Sequence, residues 1–464
     1  MSQHKQIHFE VSERKVLLRL FDVIVVLLFL HFLGGFFEFH YFTISSENFY
    51  WTIVLSFYIL FFGTVFEMYN LQVASNQYQI LRSIVLTSSL TVLVYLLTPI
   101  LTPVLPENRL QIVMFYFAIL FSLFCWRMIY VKFLASTRFV KSVILVCDKA
   151  ELDELVKGIQ NVDPHYKIVG YVNLEVNQTK GVAYKQIKSI ELNQIDYFLE
   201  TNFVSEIVIA SQKTESITVD LYNKLINLLE KGFMIREYTQ VYENITHRIP
   251  VQYVEKDFYK YFPFSRSNHN KLYISVVRFL EILISLLGLG VGVLILPFIL
   301  VGNMIGNRGP LFYTQERVGK NGQVFKIYKL RSMIVNAESD GAVFATVGDS
   351  RVTMFGKFLR KSRLDEVPQF INVLKGDMAV IGPRPERPVF VKEIAAMMPF
   401  YETRHVVKPG LTGWAQVNYS YGETLQDSLI KLQYDLYYIK HRSLFLDLNI
   451  TVKTISTVLF YRGQ

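Results

Sequence analysis

Residues Gly356 to Pro385 read GKFLRKSRLDEVPQFINVLKGDMAVIGPRP. Two adjacent carboxylates, Asp365 and Glu366, follow a basic run of Arg360, Lys361 and Arg363 and precede Pro368 and an apolar stripe that stops at Gly376. The spacing predicts a helix with Ser362 as N-cap and Asp365 three residues on. Pro368 is tolerated in its first turn, and Phe370, Val373 and Leu374 form its buried face. Both acids would then sit at a helix N-terminus, where unpaired N–H groups favour anions. The flanking cations would keep them ionised and offer donors to phosphate oxygens. Successive helical side chains point about 100° apart, so one acid can face a metal and the other a reacting phosphorus. A capped surface helix with local ion pairs fits the same spacing.

The segment resembles the core of the bacterial sugar transferase family, the polyprenyl-phosphate phosphoglycosyl transferases. LDEVPQ at 364–369 matches the family's LDE-x-PQ signature. The likeness continues in FYTQERVGKNGQVFKIYKLRSM from Phe312 to Met333 and in the Arg351, Thr353, Gly356 and Arg360 pattern. It extends through GDM and GPRP between Gly376 and Pro385, and VKPGLTGWAQVNY from Val407 to Tyr419.

From the residues alone, concentrated positive charge beside paired acids suits phosphoryl transfer with Mg²⁺, and a carboxylate can act as the nucleophile. The resemblance implies more specific roles. Asp365 would attack the β-phosphate of a UDP-sugar, release UMP and hold the phosphosugar covalently, while Glu366 holds Mg²⁺ against the diphosphate. Undecaprenyl phosphate would then accept the sugar phosphate. Arg360 matches a phosphate-binding position and Arg384, within GPRP, a nucleotide-binding one. Arg317, Lys320, Lys329 and Arg331 fit phosphate or headgroup contacts, although each fits a solvated or interfacial charge equally well. Arg363 stands where the family commonly has Ser or Thr. Asp377 is expected to cap the segment after Gly376, and His405 has no companions at zinc spacing.

Outward from this module, the chain of 464 residues is 51% hydrophobic and 15% aromatic, with the excess concentrated in runs. Four of these, Val16–Phe37, Phe49–Phe66, Ile84–Leu101 and Leu110–Leu134, approach the ~20 residues that cross a bilayer. Lys and Arg flank the first span's start (Arg14, Lys15, Arg19), the second loop (Arg82) and the fourth span's end (Lys132, Arg138, Lys141). The first outer loop carries Glu38 and Glu47, and Arg109 is the exception in the other outer loop. The positive-inside rule therefore puts both ends of a four-span bundle, residues 1–140, in the cytoplasm. No segment resembles a cleavable signal. Two cysteines, Cys125 and Cys147, are too few for a disulfide framework. The net charge of +9 is read as membrane-flanking charge, not as a nucleic-acid surface.

Residues 141–250 alternate β-rich runs with amphipathic helices and predict a Rossmann-like α/β domain. Its first strand leads into Cys147, Asp148 and Lys149 instead of a glycine-rich phosphate turn, so the domain is expected to be structural or regulatory. Residues 251–271 form a connector. Residues 272–464 are the α-rich (α+β) monotopic transferase domain, opening with an apolar helix at 279–305 that Pro297 interrupts. An ordinary Pro-kinked fifth span fits the same residues; the resemblance implies instead a re-entrant helix, which would keep the catalytic domain on the cytoplasmic face of the bacterial inner membrane beside its lipid substrate. The C-terminal helices are expected at the membrane interface.

Two competing readings exist: a membrane glycosyltransferase that moves the sugar alone and releases UDP, and a non-enzymatic membrane sensor. A homodimer through the middle domain is compatible with either. Glucose 1-phosphate and galactose 1-phosphate are not distinguished by any residue.

Overall fold

A computed structural model describes residues 11–37, 49–69, 71–74, 77–98, 101–106, 108–134, 141–160, 166–174, 187–210, 217–251, 268, 270–337, 349–398, 400–419 and 424–459. Glu38, Glu47 and Arg138, used in the orientation argument, and most of the 251–271 connector lie outside these residues. The chain divides into two compact units, Met1–Glu237 and Tyr238–Gln464.

The first unit begins with helices α1 (Val11–Gly34), α2 (Phe49–Val65), α3 (Leu71–Ala74), α4 (Gln77–Leu97) and α5 (Arg109–Ile129). The Asn108 side chain caps α5 by accepting from the Leu110 N–H. Helices α1, α2, α4 and α5 pack around Val26, Leu30, Leu55, Ile59, Ile84, Phe115 and Ile119. Phe57, Leu93, Phe117 and Phe121 face outward. Helices that are apolar both inside and out suit hydrocarbon rather than water. One buried ion pair, Arg127 Nη2 to Asp22 Oδ2 at 2.6 Å, ties α1 to α5. Charges buried this fully are tolerated only when paired.

Four described helices are long and apolar enough to cross a membrane, over Glu13–Gly34, Ile80–Leu97, Arg109–Lys132 and Lys271–Gly306. Helix α2, at 17 residues, is shorter and extends about 25 Å.

The rest of the first unit is a five-stranded parallel sheet of β1 (Lys141–Cys147), β2 (Tyr166–Asn173), β3 (Lys188–Ser189), β4 (Glu206–Ala210) and β5 (Met234–Glu237). The spatial order 3-2-1-4-5 reverses at β1, as in doubly wound sheets. Helices α6 (Leu152–Gln160), α7 (Ile195–Thr201) and α8 (Val219–Glu230) connect the strands. After β1, the Lys149 N–H donates to Asn173 Oδ1 at 3.1 Å. Burial and the charges of Asp148 and Glu151 push the Cys147 thiol up to about 12, which makes it inert.

The second unit opens with α9 (Tyr238–Thr246), which the sequence scheme assigned to the α/β domain. Its Glu243 instead pairs with Lys440 at 2.7 Å and His441 at 2.5 Å, and Ile249 and Val251 join the core of the second unit. Helix α10 (Lys271–Gly306) runs for 36 residues with Pro297 inside it. The hairpin β6 (Phe312–Val318) and β7 (Val324–Leu330) follows, then α11 (Met354–Lys361) and α12 (Gln369–Lys375). Strand β8 (Ala379–Ile381) pairs in parallel with β9 (Gly410–Thr412). Helices α13 (Pro388–Met397), α14 (Trp414–Asn418), α15 (Leu425–His441) and α16 (Leu444–Leu459) complete the unit. Their core gathers Phe390, Ile394, Trp414, Leu432, Leu436 and Ile450. A Thr424/Asp427 capping box starts α15.

The long helix is a platform for the site. A side chain at Gly288 would collide with the Phe370 ring of α12, and one at Gly302 with the Phe355 ring of α11. Small residues there let the two short helices lie close against α10. Arg278, on α10, donates to the Val373 and Leu374 carbonyls at 2.7 and 2.8 Å, closing the C-terminal end of α12.

Candidate active site

The dyad does not sit where the helix signal put it. Ser362 is the C-cap of α11, and its hydroxyl donates back to the Phe358 carbonyl at 2.8 Å instead of capping a new helix. Arg363 follows in the left-handed region with φ of 58°. Leu364–Glu366 forms one 3₁₀ turn, and α12 begins only at Gln369 after Pro368. The stretch therefore makes a helix, a reversal and a second helix. Amphipathic α11 buries Gly356 and Leu359, Val367 packs against Gly292 of α10, and Val373 is buried while Phe370 and Leu374 are partly so. A non-glycine residue in the left-handed conformation costs roughly 1 kcal/mol. In return, the reversal turns Arg363 back to within 3.6 Å of Glu366 Oε2.

Glu366 is surrounded by cations. Its Oε1 receives Arg384 Nη2 at 2.9 Å and Lys329 Nζ at 3.4 Å, from the GPRP loop and from β7. Asn372, fully buried, sets that register: it accepts from the Tyr328 N–H at 3.1 Å and donates to the Lys326 carbonyl at 2.7 Å, so α12 is stitched to β7. Asp365 is 6% exposed, and its Oδ1 is buried with no hydrogen-bond partner.

The two acids are driven apart. Burial, then the neighbouring Glu366 charge, pushes the Asp365 carboxyl up to about 6 against the pull of Lys329, Arg360 and Arg363. Burial also opposes ionisation of Glu366, but Arg384, Lys329 and Arg363 overcome it and hold that carboxyl well below the usual range. Paired titratable groups whose surroundings separate their ionisation suit two different roles in one reaction.

Of the residues singled out in the sequence, Asp365, Glu366, Lys329, Arg360 and Arg384 come together. Arg360 donates from Nε to Ser332 Oγ at 2.9 Å, and its charge acts on Asp365. Arg331 has another task. Its guanidinium donates to the carbonyls of Pro310 (2.7 Å), Met333 (3.0 Å) and Asn307, tying the exit of α10 to the segment that follows β7. Arg317 lies one step behind the site, donating to the Pro385 carbonyl at 3.1 Å and to Gln315 Oε1 at 2.7 Å. Lys320 is exposed on the β6–β7 turn. Asp377 lies near the C-terminal end of α12, where Asn372 Nδ2 approaches it at 3.4 Å. Burial and Arg404 push the His405 imidazole down to about 4, so it is neutral at working pH. The sequence reading missed Asn372 and Arg404, buried polar residues whose partners are distant in sequence; Arg363 it placed among the flanking cations and noted as a departure from the family pattern, without foreseeing its left-handed turn.

The donor set bears on the Mg²⁺ expectation. Among the described residues, no group of three or more His, Cys, Asp or Glu side chains could hold a metal. Mg²⁺ needs only one or two carboxylates when substrate phosphates and water complete its shell. Glu366 would meet that lesser requirement as the one protein carboxylate, and the surrounding cations suit a diphosphate that arrives with the ion.

Comparison with known proteins bears on the same region. Residues 272–461 match the family described as bacterial sugar transferase. The chain is 54% identical over 151 residues to the UDP-N-acetylgalactosamine-undecaprenyl-phosphate N-acetylgalactosaminephosphotransferase of Aeromonas hydrophila, covering 32% of this chain and 36% of that protein. It is 45% identical over 164 residues to the UDP-glucose:undecaprenyl-phosphate glucose-1-phosphate transferase of Xanthomonas campestris, covering 35% and 34%. The chain thus spans about a third of the length of these two relatives. The putative undecaprenyl-phosphate N-acetylgalactosaminyl 1-phosphate transferase of Bacillus subtilis is 43% identical over 164 residues, 35% of this chain but 86% of the relative. With most of a short relative covered and a family match over the whole second-unit site, the chain belongs to the bacterial sugar transferase family.

Proposed function

We propose that the chain transfers a sugar 1-phosphate from a UDP-sugar to undecaprenyl phosphate at the cytoplasmic face of the bacterial inner membrane. The observation that carries this reading is the split dyad: a buried carboxylate with a free oxygen beside a second one neutralised by Lys329, Arg363 and Arg384. The names of the relatives support the same substrates.

In this reading, Asp365 Oδ1 attacks the β-phosphorus of the UDP-sugar. The bond from that phosphorus to the bridging oxygen breaks, and UMP leaves with the electron pair. The phosphosugar is then held as an acyl phosphate on Asp365. A phosphate oxygen of undecaprenyl phosphate attacks the same phosphorus and returns the Asp365 carboxylate. Lys329, Arg360, Arg363 and Arg384 neutralise the phosphate oxygens in both steps. Mg²⁺, held by Glu366 with the substrate diphosphate, would add further charge neutralisation there.

Topology completes the reading. Helix α10 is about 54 Å long at 1.5 Å per residue, more than a single crossing needs. Pro297 removes one N–H and crowds the preceding turn, and we read it as the bend that keeps both ends of α10 on one side. The middle sheet, read as Rossmann-like on its strand order, lacks a glycine phosphate turn and is assigned a scaffolding role.

The deciding experiment incubates the purified protein with undecaprenyl phosphate, Mg²⁺ and a panel of UDP-sugars and identifies the nucleotide released. The panel begins with UDP-N-acetylgalactosamine, in view of the Aeromonas and Bacillus relatives, and includes UDP-glucose and UDP-galactose. UMP is expected with one or more of them. UDP release would favour glycosyl transfer, and no release from a folded preparation would favour the sensor.

A further inference from the structure

Arg384 reaches Glu366 from a loop whose backbone is held carbonyl by carbonyl. Ahead of it, the Gly382 N–H donates to the Thr412 carbonyl and the Gly410 N–H to the Pro383 carbonyl, each at 2.9 Å. Then three consecutive carbonyls find donors. Arg404 Nη2 takes Arg384 at 2.9 Å, Arg317 Nη1 takes Pro385 at 3.1 Å, and the Val318 N–H takes Glu386 at 2.9 Å. The first of these bonds belongs to the residue that touches the dyad.

Arg404 is itself immobilised. It is 6% exposed, its Nη2 also donates to Asp435 Oδ2 at 2.7 Å, and its Nη1 donates to the Tyr401 hydroxyl at 2.8 Å. Asp435 is 1% exposed on α15, whose Leu432, Leu436 and Ile439 belong to the apolar core. Such a pair is an unpromising stabiliser, because well-packed apolar residues in its place are often as good or better. Its distinctive output is geometric. A planar fork locked by a carboxylate and a phenol presents one N–H, in a fixed direction, to the Arg384 carbonyl.

We propose that Arg404, braced by Asp435 and Tyr401, is a positioning residue that sets Arg384 for the diphosphate of the nucleotide-sugar. The chain of action runs from α15 through Asp435 and Arg404 to the Arg384 backbone, and from the Arg384 guanidinium to Glu366 and the donor substrate. This rests on the proposed role of Arg384. Lysine at 404 would keep a charge for Asp435 but offer a point charge on a flexible stem, without the fork that holds carboxylate and carbonyl together. Misplacing a binding group by about 1 Å can cost 10²-fold in rate.

The test is a double-mutant cycle on the full chain in lipid nanodiscs, reading UMP release against UDP-sugar concentration for Arg404→Lys, Arg384→Ala and the double variant. Arg404→Lys is expected to raise KM for the UDP-sugar on the order of tenfold and to change kcat less. In the Arg384→Ala background, the same change at 404 is expected to have almost no further effect, because its only route is gone. An equal loss with and without Arg384 would overturn the proposal and leave Arg404 a fold residue. Activity unchanged by Arg384→Ala would overturn the reading of Arg384 itself, and the proposal with it. If Arg404→Lys does not fold, Tyr401→Phe removes one brace without stranding a buried charge. It should raise KM by a smaller factor, again only when Arg384 is present, and additivity in that cycle would equally overturn the idea.

Discussion

Asp365 and Glu366 are bonded neighbours with the same functional group, yet their surroundings send them in opposite directions. Glu366 faces Arg384, Lys329 and Arg363, whereas Asp365 is buried with Oδ1 unpartnered. Asp365→Asn is expected to lower turnover by roughly three orders of magnitude or more, and intact-protein mass spectrometry, expected to find the proposed phosphosugar adduct on the parent, should find none on the variant. The same change has a stability signature. A carboxylate raised to about 6 in the folded state disfavours folding once ionised. That penalty is absent below about pH 4, grows between the unfolded and folded values, and is complete above about 6. Metal-free Asp365→Asn should therefore melt higher than the parent at pH 7.5, by on the order of 1 kcal/mol or more, and match it near pH 4. The acid limb of kcat/KM should fall near pH 6, with activity lost as the pH drops and Asp365 takes a proton. Glu366→Gln removes the charge that helps raise Asp365, so whatever activity remains should show that limb at lower pH. A limb that stays in place would mean that another group titrates there.

Among the secondary-structure elements, α10 carries the site by its absences. Phe355 of α11 and Phe370 of α12 rest where Gly302 and Gly288 have no side chains, so the reversal holding the dyad is anchored on both sides to one helix. Gly302→Leu would push the Phe355 ring outward. Overpacking of this kind costs about 1–3 kcal/mol, and the expected result is a lower thermal midpoint with turnover reduced more than KM is changed. Gly290, with open space beside it, is the control: Gly290→Leu should leave both nearly unchanged.

Across the full chain, the boundary between units changes what a minimal enzyme must contain. By the motifs alone, a fragment beginning near Asn270 suffices, since the dyad and its cations all lie beyond it. But α9 contributes the Glu243 pairs with Lys440 and His441, and Ile249 and Val251 fill the core around α15. Removing buried aliphatic side chains costs about 2–5 kcal/mol each when large. A chain beginning at Tyr238 should therefore retain UMP release and a cooperative melt, while one beginning at Asn270 should melt several degrees lower or aggregate. Equal behaviour of the two would show that α9 is dispensable. The side of the membrane is tested separately with Pro310→Cys and Tyr222→Cys, in a background with Cys125 and Cys147 changed to Ser; residue 180, an alternative position, lies outside the described residues. Neither site should react with an impermeant reagent in intact cells, and labelling of residue 310 would refute the re-entrant reading of α10.

The amino-acid sequence alone specified whatever depends on composition and short range. Long apolar runs became helices α1, α4, α5 and α10, alternating β-branched runs became the strands of a parallel sheet, and LDEVPQ with its ordered companion motifs identified the family. Those signals are local because burial of a whole run, or chemistry at a few adjacent residues, leaves its mark within a short window. The sequence was ambiguous where two local signals overlapped. Ser362 can begin a helix or end one, and the packing of Phe355, Val367 and Phe370 against α10 favours ending, with Arg363 left-handed. It was also silent on which cation serves which oxygen. Arg331 and Lys329 are two residues apart and chemically alike, but unsatisfied carbonyls at the end of α10 claim one while Glu366 claims the other. Long-range partners such as Asn372 with β7, or Arg404 with Asp435 and the Arg384 carbonyl, exist only once distant segments are folded together. Burial makes an unpaired polar group costly, so each takes the partner that the packed elements bring within reach, and no pattern in the linear chain encodes that choice.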